Sequence, residues 1–193
     1  MPGRIVDIFD VSKTKAENRF KCIASCNYAE AMLNEAEAIR IREGSAPISR
    51  DQPLARVVES PSHADDQAKA FKDIAFAEAF KRGISVQQLG LTTNESIHAF
   101  GLEKVKRFNE NKSADKQRTY LGYVVSLCAV FRDARATDGR RLFGVFSTPE
   151  DGAVSHADIF VVIQPGPGDK LAIQQRFHDY FKLSEIIRPS FPA

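Results

Sequence analysis

An α+β fold is what this sequence predicts, on three observations. Apolar residues recur at helical spacing ahead of Lys112, and extended β-branched and aromatic stretches follow Arg118. The two kinds of segment are also grouped rather than strictly alternating, which favours α+β over α/β. The expected architecture is an N-terminal helical part, with a short first strand, packed on a C-terminal antiparallel β-meander and closed by a last helix. The chain of 193 residues is 43% hydrophobic and 27% charged, an ordinary globular balance that fits a single domain, 1–193. With 14 phenylalanines and no tryptophan, the core is expected to rest on Phe and aliphatic side chains.

Taken in order, residues 4–11 (Arg-Ile-Val-Asp-Ile-Phe-Asp-Val) read as a short strand because β-branched and aromatic residues dominate. A long helix is predicted from Thr14 to Arg42. Phe20, Ala24, Tyr28, Ala31 and Leu33 form one stripe, with Cys22, Cys26, Ala29 and Ala36 beside it. Residues 44–62, with Pro47, Pro53 and Pro61, read as a long irregular connection that could hold a brief strand at 56–59. A helix follows from Ser62 to Gly83, then a short helix at 85–89, then one capped by Thr93 over 94–109. Strands are expected over 119–132, 141–147 and 155–164, with turns at Thr137-Asp138-Gly139 and Thr148–Gly152. Asp169 starts the last helix, and the Pro-containing tail 188–193 is irregular.

A formal net charge of +2 does not point to a polyanionic partner or a membrane by itself. No apolar run reaches the length of a membrane span. The N-terminus lacks a secretory apolar core, and Asp7 and Asp10 argue against a transit peptide. The three cysteines, Cys22, Cys26 and Cys128, read as reduced thiols, so the cytoplasm is the expected location.

Several constellations could carry chemistry. His156 and Asp158 alternate with Ala157 on a strand and so project from one face, where a carboxylate can orient an imidazole for acid–base work. Arg132 and Arg141, expected on neighbouring strands, are the anion-binding candidates. The Pro-Gly-Pro-Gly turn at 165–168 lacks both phosphate-loop patterns, and its prolines remove backbone donors. Cys22 and Cys26 share a helix face and could join Cys128 around zinc, but small thiols filling a helix contact is the preferred reading, and no metal is expected. Residues 80–118 resemble a helix-turn-helix followed by a basic stretch containing Lys104, Arg107, Lys112 and Arg118, diluted by Glu103 and Glu110. His178 and Asp179, adjacent on a helix, diverge; His63 and His98 show no evident partner.

No motif calls for a cofactor. The preferred reading is therefore a binding or interaction protein, acting on an unknown protein partner or on itself. One alternative is a small enzyme for an anionic or phosphorylated substrate, with His156 as acid or base, Asp158 orienting it, and Arg132 and Arg141 holding the anion. The other is a nucleic-acid-binding protein using residues 80–118.

Overall fold

The computed structural model describes residues 5–10, 14–39, 46–65, 70–148, 153–166 and 168–190. Its framework is a five-stranded antiparallel sheet in the order β3-β1-β2-β5-β4. The strands are β1 (Pro53–Ser60), β2 (Ile84–Gln88), β3 (Thr119–Leu127), β4 (Phe143–Ser147) and β5 (His156–Val161). The helices are α1 (Ile5–Ile8), α2 (Arg19–Cys26), α3 (Glu30–Ala38), α4 (Asn94–Asn109), α5 (Cys128–Asp133) and α6 (Asp169–Tyr180). An α+β protein with a closing helix is what results, and no helix among the described residues is long and apolar enough to cross a membrane.

Alternation along the strands divides the core. Leu54, Val58, Ile84, Val86, Val145, Ala157, Ile159 and Val161 face one side, under a 3-10 segment (Asp73–Phe80), α5 and α6. Phe76 lies there parallel to the rings of both Phe177 and Phe181. The other side carries two separate clusters. Phe146 and Phe160 meet Phe9, Ile23 and Leu33 from α1–α3, while Ala55, Val57 and Tyr123 meet Ile97 and Val105 of α4. The strip between these clusters, over β2, is where the sheet face is left accessible.

Several sequence expectations are corrected. Residues 5–8 form a helical turn rather than a strand; Ile5, Ile8 and Phe9 recur at 3- and 4-residue spacing, which buries all three together. The long helix from Thr14 divides because Asn27 is left-handed (φ 48°) and Ala29 is extended, so α2 and α3 are distinct; residues 40–45 lie outside the described set. The 44–62 connection contains β1, which is eight residues long and nearly all buried. The helix expected from Ser62 is instead irregular chain and 3-10 turns where described, and 66–69 lie outside. Residues 84–88 are strand β2 rather than a helix, which removes the first helix of the helix-turn-helix. The strand expected over 119–132 stops at Leu127, where α5 begins. β3 lies at the far edge beside β1, so β3, β4 and β5 do not form a simple meander, although β4 and β5 do pair.

One expectation and one feature not foreseen are seen in detail. Thr93 caps α4, its Oγ1 accepting from the Ser96 N–H at 3.2 Å. The tail adds Ile187 to the β3 edge through two hydrogen bonds with Tyr123. That approach needs Gly122 (φ 137°), because a Cβ there would strike the Ile187 carbonyl. The residues at 149–152, Pro167 and 191–193 are outside the described set.

Candidate functional site

A cleft of about 740 Å³ lies over β2, between α4 on one side and the 16–19 segment entering α2 on the other. Its volume falls in the usual range for small-molecule sites. Ser85, Gln87, His156 and Asp158 form part of the floor, because β2 and β5 turn these alternate residues away from the main core. Ala55 and Val57 of β1 and Ala99 and Phe100 of α4 make an apolar wall.

Arg56 sits at the centre of this arrangement. β1 and β2 pair only at Leu54–Gln88 and Ala55–Gln87, after which β1 continues along β3 and β2 along β5. The Arg56 guanidinium bridges the parting, donating from Nη1 to the Ser85 carbonyl at 3.0 Å and from Nη2 to the Ala75 carbonyl at 3.3 Å. The residue is 2% exposed. Among the described residues its nearest carboxylate oxygen is Glu78 Oε2 at 3.9 Å, beyond hydrogen-bond distance. Among the described residues, this buried cation donates to two carbonyls, lies 3.4 Å from His63 Nε2, and meets Glu78 only as an ion pair too long for a hydrogen bond. Burial lowers its pKa, opposed by the charges of Glu78, Glu59 and Asp158, yet a guanidinium stays protonated.

The remaining charges of the cleft leave a positive excess. Arg19, Arg56, Arg82, Lys104 and Arg107 line it against Glu78, Glu103 and Asp158. The acids are engaged: Glu78 accepts from Arg82 Nε at 3.1 Å and Glu103 from Arg107 Nε at 2.9 Å. Behind the cleft, Glu59 binds Lys104 (2.6 Å) and Arg118 (2.9 Å). Burial alone would raise the Glu59 pKa, but Lys104, His63 and Arg118 outweigh it and hold it at about 2. His63, packed against Arg56, is pushed down to about 3 by burial and by the Arg56 charge. Burial and Arg56 also lower the pKa of Lys104.

His156 and Asp158 do share this floor, 3% and 4% exposed, with Nε2 and Oδ1 3.9 Å apart. His156 Nδ1 lies 2.7 Å from the Thr148 carbonyl, which can only accept, so Nδ1 carries a proton. The Thr148 hydroxyl donates to Asp158 Oδ2 at 2.8 Å, and Ser85 Oγ donates to Oδ1 at 3.3 Å. Thr148 thus fixes both members of the pair.

Arg132 and Arg141, the expected anion binders, are not in the cleft. Arg132 lies on α5 rather than on a strand, and both arginines turn to the buried carboxylate of Glu37 on α3. Arg141 also donates to Asn34 Oδ1 (2.8 Å) and to the Phe143 carbonyl (2.7 Å), and Glu37 accepts from the Val145 N–H (2.7 Å). They close the outer edge of β4. Arg56 is one of four arginines that line the cleft with His156 and Asp158, and sequence reasoning passed over it. Its signal was a cation inside the apolar run Leu54-Ala55-Arg56-Val57-Val58.

The basic stretch after Lys104 does not make one surface. Lys104 and Arg107 face the cleft, whereas Lys112, Lys116 and Arg118 line a separate hollow of about 380 Å³ around Phe108. Cys128 packs in the core on the opposite side of the sheet from Cys22 and Cys26. Among the described residues, no cluster of three or more His, Cys, Asp or Glu side chains could hold a metal. His98 meets the Tyr120 hydroxyl at 2.9 Å, and His178 lies 3.6 Å from Asp73. At the 165–168 turn, Asp169 itself accepts from the Gly166 N–H at 2.8 Å, the place an anion would take.

The fold and cleft define an α+β protein with a basic, partly apolar pocket on one sheet face. No protein-family model, no curated protein and no solved structure matches the chain.

Proposed function

We propose that this protein binds a small anionic ligand in the cleft over β2. The observation that carries the reading is Arg56: a cation 2% exposed, on the lining of the cleft, with carbonyls and no carboxylate within hydrogen-bond reach among the described residues. Taking an ion out of water costs several kcal/mol, and Glu78 at 3.9 Å offsets this without a hydrogen bond, so an anion bonded directly to Arg56 recovers more of that cost. The lining carries five cationic against three anionic side chains, and that net positive excess adds long-range attraction. Three free thiols suit a reducing compartment, and the cytoplasm is the location that goes with this reading.

The test is calorimetric titration with inorganic phosphate at constant ionic strength. Wild type should show saturable binding. Arg56→Gln should weaken it roughly 10- to 100-fold, the worth of a hydrogen bond to a charged group, and Arg107→Gln on the rim only a few-fold. A folded Arg56→Gln variant that binds phosphate as wild type does would refute the proposal.

A second reading, catalysis on the same anion, draws on the Thr148-fixed pair. In a phosphoester hydrolysis, Nε2 of His156 would take a proton from water as its oxygen bonds to phosphorus. The ester oxygen would then leave with the bonding electron pair and collect a proton from solvent. Release of nitrophenol from nitrophenyl phosphate, lost in His156→Gln with phosphate affinity kept, checks it; no turnover by wild type counts against it.

A further inference from the structure

We infer that the ligand of this cleft is an aromatic anion, with a flat ring held against the α4–β1 wall while its charged group meets Arg56. The inference rests on the anion-binding reading above and narrows the class of ligand. A bare phosphate fills a small fraction of about 740 Å³, so most of the cleft's surface must contact something else. What it offers is two-sided. Val57, Ala99 and Phe100 line one side with hydrocarbon over a fully buried Ala55, and Ser85 and Gln87 lie on the floor with hydrogen-bonding groups.

The apolar wall is built rather than incidental. Ala55 is fully buried and Val57 nearly so, and Phe100 packs against their cluster while remaining partly accessible on the cleft side. The small side chains of Ala55 and Ala99 line the same cleft as Phe100. Offset stacking on such a ring and burial of a ligand's apolar face both favour a planar body over an aliphatic one. Arg56 opens onto the same space, so an anionic substituent and a ring on one small molecule can engage both features. An aliphatic phosphate would leave the Phe100 wall facing water.

Titration calorimetry at constant ionic strength, with phenyl phosphate and methyl phosphate as probes, tests this. Wild type is expected to bind phenyl phosphate about tenfold more tightly. Phe100→Ala should bring the two within about twofold, and Phe100→Leu, which keeps bulk without a ring, should leave an intermediate preference. Circular dichroism melts establish that each variant is folded. Arg56→Gln should weaken both probes together while keeping the preference for the ring. If wild type binds both within twofold and Arg56→Gln weakens both, this inference falls while the anion reading stands. If neither probe binds wild type, the anion reading falls and takes this one with it.

Discussion

Arg141 and Arg56 are both almost wholly buried against the same sheet, and their surroundings could hardly differ more. Arg141 meets the Glu37 carboxylate, an asparagine oxygen and a backbone carbonyl, so charge and donors are both satisfied inside the protein. Arg56 has its donors partly satisfied by carbonyls, but Glu78, its nearest carboxylate among the described residues, is 3.9 Å away. The first closes an edge strand; the second opens onto a cleft. Burial of an arginine therefore says little about its role, whereas the presence or absence of a hydrogen-bonded counter-charge says a good deal.

The largest expected effect sharpens this contrast. Glu37→Gln strips the shared carboxylate from Arg132 and Arg141, and should cost about 3–5 kcal/mol in urea denaturation, as does breaking other buried ion pairs. Arg56→Gln removes a charge that has no hydrogen-bonded carboxylate and exposes two carbonyls to loss of a donor, so about 1–3 kcal/mol is expected. Equal losses in the two variants would break the comparison.

The next effect is a pH dependence on the Arg56 side. His63 has a folded pKa of about 3 against an ordinary 6.5, so the unfolded chain takes up a proton that the folded chain refuses. Its contribution is fully present above pH 6.5 and is lost as pH falls toward 3. The slope from this residue is about 1.4 kcal/mol per pH unit between roughly pH 6 and 4. Glu59 adds a second loss lower down: its contribution is present above pH 4.5 and disappears as pH falls through about 2. Denaturation curves across pH 6 to 5 should flatten in His63→Gln; an unchanged slope would show that His63 is not held neutral.

The smallest effect separates scaffold from site. Thr93→Ala removes the α4 cap and should cost about 1 kcal/mol in denaturant, while phosphate affinity stays within twofold. A large fall in affinity would mean that the α4 wall is less firmly set than its packing indicates.

Where the sequence was readable, one local signal outweighed its rivals. The α4 start could be read from Thr93, and β4 and β5 from dense apolar runs whose members are all buried. β1 was only half legible because Arg56 and Glu59 interrupt its apolar pattern, and both are buried by partners far along the chain. β2 is five residues with two buried glutamines, too short and too polar to distinguish strand from helix. The division between α2 and α3 hung on one left-handed asparagine between stripes that both looked helical. For the site, strand alternation foresaw that His156 and Asp158 would face the same way. Which arginines would line the cleft with them depended on how distant segments pack around β2, including the strand order β1-β2-β5, a long-range fact that local patterns do not contain.

The central claim, that Arg56 holds the anion of a ligand whose ring lies on Phe100, is most directly tested by a crystal structure with 4-bromophenyl phosphate, using anomalous scattering from bromine. The bromine should appear along the Ala55–Phe100 wall, with phosphate oxygens within hydrogen-bond distance of the Arg56 guanidinium. Bromine density confined to the Phe108 hollow, or a phosphate bound only by rim side chains, would contradict it.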